Sequence, residues 1–259
     1  MTDIFLGTIV LEPNRWFGVT KERWGTTAVS EWLDRIAAAG FDGIELWESH
    51  FRDAAPAEQQ AILDHPVPVA VYNTYVGFDE EDDAERTATG RVVQRTGAPK
   101  VKWNTGPERD PASIDAYAAR LERWAAELPG VELVCECHDG SAMDDPATAA
   151  RVLGAGSSAL VHTHDDLDLL RAKFDAYGDR ITHVHVNHLF TGSPKLHTIT
   201  DELTEKISLV RSLGYSGTWT IEFVHGTGGD NDHPEPMLAQ AIEDLTLLRT
   251  LLGSDTSPT

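Results

Sequence analysis

Short apolar runs alternate along the whole chain with longer segments whose apolar residues recur every three or four positions. The runs predict strands over Ile4–Val10, Gly43–Trp47, Val67–Tyr72, Lys100–Trp103, Val131–Cys137, Ala159–Thr163, Ile181–Val186 and Thr218–Phe223. The longer spacing predicts a helix over Thr26–Ala39, with Val29, Trp32, Leu33 and Ile36 on one face and Gly40 as its stop. Further helices are predicted over Pro56–Leu63, Glu80–Arg95, Pro111–Leu128, Pro146–Leu153, Leu167–Tyr177, Asp201–Leu213 and Pro234–Leu252. Strand–helix units repeated in this way through 259 residues predict an α/β fold, a (β/α)8 TIM barrel. Single barrels of ~250 residues are ordinary. A doubly wound open sheet would carry a Gly-rich turn after its first strand, and Gly7-Thr-Ile-Val-Leu has none. One barrel domain is expected over residues 1–252, with 253–259 as a disordered tail.

Composition narrows the partners. The net charge of −21 opposes polyphosphate backbones, so neither nucleic acid nor an anionic membrane is expected as a partner. No leader-like segment and no run of ~20 apolar residues is present, which predicts a soluble cytoplasmic protein. Cys135 and Cys137 share a strand face but are poorly placed for a mutual disulfide. They should pack under the helices as small hydrophobes.

Chemistry concentrates on the later strands. Alternate strand residues share a face, so His183, His185 and Asn187 should point one way. In a barrel the site lies at the carboxyl ends of the strands. Those ends supply Glu136 and His138 from strand five and His162 from strand six, with His164 and Asp165 just beyond. Strand seven adds His183 and His185, and strand eight Glu222. Glu136, His162, His185 and Glu222 could converge on one divalent ion. Two carboxylates with two imidazoles suit Mn²⁺, Co²⁺, Fe²⁺ or Zn²⁺ better than Ca²⁺. His183 lies deeper and reads as a hydrogen-bonded core histidine, while His188 and His225 read as solvated loop residues. Glu45, near the end of strand two, either lines the site or pairs with a neighbouring base.

Four stretches carry a family resemblance over most of the chain: Ala39-Gly-Phe-Asp-Gly-Ile-Glu-Leu, Glu136-Cys-His138, Ile181-Thr-His-Val-His185 and Gly214-Tyr-Ser-Gly-Thr-Trp-Thr-Ile-Glu222. With them the sequence resembles the xylose isomerase-like barrel superfamily of sugar isomerases, ketose 3-epimerases and related enzymes. The resemblance implies metal ligands at Glu136, His185 and Glu222. Its Asp position falls on His162, inside His162-Thr-His-Asp165 where the family has Asp-x-x-His. His162, His164 or Asp165 then fills the strand-six position. The implied function is isomerisation or epimerisation of a small sugar or hydroxy-keto compound. A proton would be abstracted and returned by Glu136 and Glu222 through a metal-stabilised enediolate. His138 and Lys102 would contact substrate oxygens, and Trp16, Trp47 and Trp103 would form an apolar wall. After strand seven, where relatives often carry Gly-x-Gly and an Arg, this chain offers Lys195 and His197. Asp230 and Asp232 beside Gly226-Thr-Gly-Gly229 favour an unphosphorylated substrate. A lyase or dehydratase on the same site, or a barrel that binds without catalysing, are the alternatives. A homo-oligomer is compatible with the resemblance.

Overall fold

The structure, a computed structural model, describes residues 2–13, 15, 25–137, 140–187, 194–226 and 232–253. Its strands are β1 (Ile4–Gly7), β2 (Gly43–Trp47), β3 (Val69–Asn73), β4 (Lys100–Trp103), β5 (Glu132–Glu136), β6 (Ser158–His162), β7 (Ile181–Val186) and β8 (Thr218–Ile221). All pair in parallel in sequence order, and β8 closes on β1. The fold is a TIM barrel.

The helices are α1 (Leu33–Ala39), α2 (Ser49–Arg52), α3 (Pro56–Asp64), α4 (Asp83–Thr96), α5 (Pro111–Glu127), α6 (Pro146–Leu153), α7 (Leu167–Tyr177), α8 (Thr200–Ser212) and α9 (Pro234–Gly253). Local chemistry sets their starts. The Asp110 carboxylate accepts from the backbone N–H groups of Ala112 and Ser113 ahead of α5, and Asp145 and Asp166 cap α6 and α7 in the same way. The buried stripe of α5, Ile114, Tyr117, Leu121 and Trp124, is the one its spacing predicts. Fully burying a side chain such as Leu121 contributes ~1.5–3 kcal/mol. Cys135 and Cys137 are unpaired and buried in the core between strands and helices.

Two segments differ from expectation for physical reasons. The apolar run after Gly7 leaves the sheet and coils into a 3₁₀ turn at Thr8–Leu11, all buried. The predicted helix over 26–39 is a 3₁₀ turn, Val29–Trp32, running into α1. The single-turn helix α2 is too short to show a periodic pattern. Residues 254–259 of the expected tail lie outside the described residues, while Gly253 ends α9.

The turn into β8 places its carboxyl end. Gly214 has φ +86°, and a Cβ on Gly217 would sit 2.4 Å from the Thr182 carbonyl oxygen. Tyr215 Oη donates to Thr218 O and its ring meets Trp219 edge-on at 5.4 Å. With this turn fixed, His185 pairs with Thr220 across β7–β8 and His162 with His185 across β6–β7. A slip by one residue would turn each of these side chains to the other face.

Candidate metal centre and active site

Strand alternation divides the polar from the apolar residues. Trp103, Cys135, Val161 and Val186 join the core under the helices, while Lys102, Glu136, His162 and His185 come together inside the barrel. Barrel interiors are usually filled by branched apolar side chains. This one has a polar ladder instead. At its amino end Lys100 Nζ lies 3.2 Å from Glu132 Oε2. In the middle His183 stacks at 6.3 Å on Phe5, which packs with Ala70 and Val71.

At the carboxyl end, one ligand atom each from Glu136, His162, His185 and Glu222 lie within 4.8 Å of one another, and all four residues are buried. Glu136 Oε1 is 3.0 Å from His162 Nε2, and its Oε2 accepts from Lys102 Nζ at 2.5 Å. The Lys102 ammonium also sits 3.9 Å from the centre of the Tyr75 ring. Glu222 Oε2 accepts from Asn187 Nδ2 at 2.6 Å and lies 3.0 Å from His185 Nδ1. Burial pushes His162 down to about 4 against the opposing pull of Glu136, so it is a neutral imidazole at pH 7.

These residues fit a divalent cation. His185 Nε2 is occupied by Glu45 Oε2 at 3.0 Å. Its buried Nδ1 faces Glu222 Oε2 at 3.0 Å and Glu136 Oε1 at 3.9 Å, yet makes no hydrogen bond to the described residues. A lone-pair nitrogen directed at two carboxylates is repulsive without a positive charge between them. Burial by itself would lower the pKa of His185; Glu222, then Glu45, overcome it and hold it up at about 10. Without metal, a proton takes the cation's place. Among the described residues, the buried carboxylates of Glu136 and Glu222 both act on the buried Lys102 ammonium, with Glu45 also buried behind His185, an excess of negative charge that a divalent ion would offset.

On strand six, Asp165 is engaged elsewhere. Its Oδ2 accepts from Lys173 Nζ at 2.6 Å, and the same ammonium donates to Cys137 O at 2.8 Å. His164 Nδ1 is 2.7 Å from Asn187 Oδ1, and its ring stacks on His162 at 4.5 Å. His162, His164 and Asp165 do form a compact group of their own. His162 is the member whose side chain reaches Glu136 and the cluster.

Other expected contacts fall elsewhere. Trp103 points away from the barrel interior: its indole N–H donates to Ser157 Oγ at 3.0 Å and its ring lies 4.3 Å from Phe78. Trp47 is 1 % exposed and edge-on to His50 at 4.9 Å. Lys195 is half-buried ahead of the 3₁₀ turn Leu196–Ile199, where its charge acts on Asp244 of α9. No contact among the described residues joins Lys195 to the four-residue cluster. His197 is exposed. His138, His188 and Trp16 lie outside the described residues, as do residues 227–230. Sequence reasoning missed Tyr75 and Lys173, each of which touches a charged residue of the site region. Helical spacing gave a signal for Lys173: it stands about two turns after Asp165, in the middle of α7.

A cavity of about 260 Å³ lies among the segments that follow β2, β3 and β4, lined in part by Glu48, Arg52, Tyr75, Phe78, Asp79 and Thr105. Tyr75 is common to this cavity and the Lys102–Glu136 pair. Among the described residues, no helix is long and apolar enough to cross a membrane.

Solved structures share the fold at low sequence identity. A xylose isomerase domain containing protein from Salmonella typhimurium superposes with a TM-score of 0.64 at 12 % identity, over 95 % of this chain and 97 % of that one. A 3-keto-D-glucoside 4-epimerase from E. coli gives 0.62 at 17 %, over 96 % and 100 %. The IolI protein, solved with a bound zinc atom, gives 0.65 at 11 %, over 98 % and 100 %. No curated protein matches the sequence. The sequence profile of one family matches residues 33–251, and this chain belongs to that family, the xylose isomerase-like TIM barrels.

Proposed function

We propose that this chain is a metal-dependent isomerase or epimerase of a small sugar or hydroxy-keto compound. One divalent ion, Mn²⁺, Co²⁺, Fe²⁺ or Zn²⁺, would be held by Glu136, His162, His185 and Glu222. The observation that carries this reading is the convergence of these four buried side chains, with His185 Nδ1 directed at two carboxylates. When bound, the ion supplies a Lewis acid that polarises the carbonyl and hydroxyl oxygens of the substrate.

The protein groups do the proton work. Glu136 and Glu222 have ligand atoms within 4.8 Å of each other, so both reach one substrate carbon, one taking its proton and the other returning it. Lys102 holds Glu136 in a buried ion pair and stands ready to donate to a substrate oxygen. Asn187, donating to Glu222 Oε2, holds that carboxylate in place. The rest of the substrate would enter the cavity beside Tyr75. The Glu48, Asp79 and Glu85 carboxylates on its wall oppose a phosphorylated or carboxylate tail there.

The test is proton exchange. Metal-loaded protein is incubated in D₂O with unphosphorylated ketoses and hydroxy-keto acids, and deuterium at the carbon beside the carbonyl is read by NMR. Exchange is expected with at least one compound, falling by about 10²–10⁴-fold in Glu222→Gln. Release of water in place of exchange would make the site a dehydratase. Neither reaction with any compound would contradict the assignment.

A further inference from the structure

The geometry points to Glu45 of β2 as the positioning residue of the metal centre: it fixes His185 in the tautomer protonated on Nε2 and so bares Nδ1 to the ion. This rests on the four-residue site described above. Glu45 is on the opposite side of the barrel from β6, outside the four-residue set, and its side chain is fully buried. Both oxygens of its carboxylate are engaged. Oε1 accepts from Asn73 Nδ2 at 2.7 Å, and Oε2 meets His185 Nε2 at 3.0 Å and His183 Nε2 at 3.2 Å. A carboxylate accepts only, so the His185 nitrogen facing it carries the proton. In the neutral imidazole that a metal ion requires, the other nitrogen, Nδ1, then carries the lone pair. It is the atom directed at Glu222 Oε2 and Glu136 Oε1.

The rival reading is a second ion bound by Glu45, His183 and His185, whose ligand atoms also lie close together. Donor–acceptor balance decides against it. His183 Nδ1 is 2.7 Å from Thr218 Oγ1 and its Nε2 3.0 Å from Thr220 Oγ1, so both ring nitrogens already have partners. Each contact in this lower group pairs a donor with an acceptor, and the group closes without a cation. A carboxylate that orients a ligating imidazole from behind sets its direction and its basicity, and losing it typically costs about 10–100-fold in metal affinity.

The experiment titrates Mn²⁺ or Zn²⁺ into the full chain by competition with a chelator, for the parent and for Glu45→Gln. The amide can present N–H to His185 and so favours the wrong tautomer. About 10–100-fold weaker binding is expected, with the number of ions per chain unchanged. Binding equal to the parent, or loss of one of two ions, would overturn the inference. Should Glu45→Gln fail to fold, ¹⁵N-histidine NMR of the metal-loaded parent reads the same point. His185 should show a protonated Nε2 and a metal-bound Nδ1, and the reverse pattern would overturn the assignment. A parent that binds no metal removes the four-residue site and this inference with it. A parent that binds metal, with an indifferent Glu45→Gln, removes this inference alone.

Discussion

Two buried clusters share His185, and their difference is instructive. The lower one, Glu45 with His183 and His185, contains the same residue types as the upper one, Glu136 with His162, His185 and Glu222, at similar spacing. Below, with Asn73, Thr218 and Thr220 alongside, both Glu45 oxygens and both His183 ring nitrogens have a partner. Above, His185 Nδ1 faces two carboxylates, an arrangement that needs a proton or a cation between them. A metal site is therefore recognised by unbalanced lone pairs in a dry interior rather than by a count of histidines and glutamates.

The substitution that breaks both clusters should have the largest effect. His185→Ala is expected to abolish metal binding. It should also cost about 3–5 kcal/mol of stability by removing a partner of buried carboxylates, read by denaturant unfolding. Lys173→Met strands the Asp165 carboxylate and should cost stability of the same order, about 3 kcal/mol. Unlike the first, it should leave the metal content unchanged, because Lys173 neutralises a residue outside the four-residue set.

The pH dependence of the metal-free protein sharpens the contrast further. The folded pKa of His185 lies at about 10, above the ordinary value of 6.5. The stability this contributes is fully present below pH ~6.5 and is lost as pH rises through about 10. Metal-free protein should therefore weaken across that window, while metal-loaded protein should not, since the ion displaces the proton. Proton release on metal binding, measured calorimetrically in buffers of different ionisation heat, checks the same exchange. The smallest effect should come from the lower cluster alone. His183→Gln is expected to lose about 1 kcal/mol of stability and to leave metal affinity within about threefold.

Much of the fold was legible in the sequence because each strand and helix carries its own period, and α5 shows this most clearly. The run after Gly7 was not, since an apolar stretch looks the same as a strand or as a buried 3₁₀ turn. At the site, the carboxyl ends of β5 to β8 brought together the four residues that alternation selects. The same rule forbids Lys102 and Trp103, neighbours on β4, from both facing inward, and the tryptophan is the one turned away. The pairing of Asp165 with Lys173, and of Glu45 with two imidazoles across the barrel, depends on distances that only the closed barrel sets.

The most direct test of the centre is elemental analysis of purified, dialysed protein for the parent, His162→Ala and Asp165→Asn. Close to one transition-metal ion per chain is expected in the parent and in Asp165→Asn, with a clear loss in His162→Ala. Metal retained without His162 but lost without the Asp165 carboxylate would contradict the strand-six assignment. A parent that takes up no metal when Mn²⁺, Co²⁺, Fe²⁺ and Zn²⁺ are each offered would contradict the centre itself.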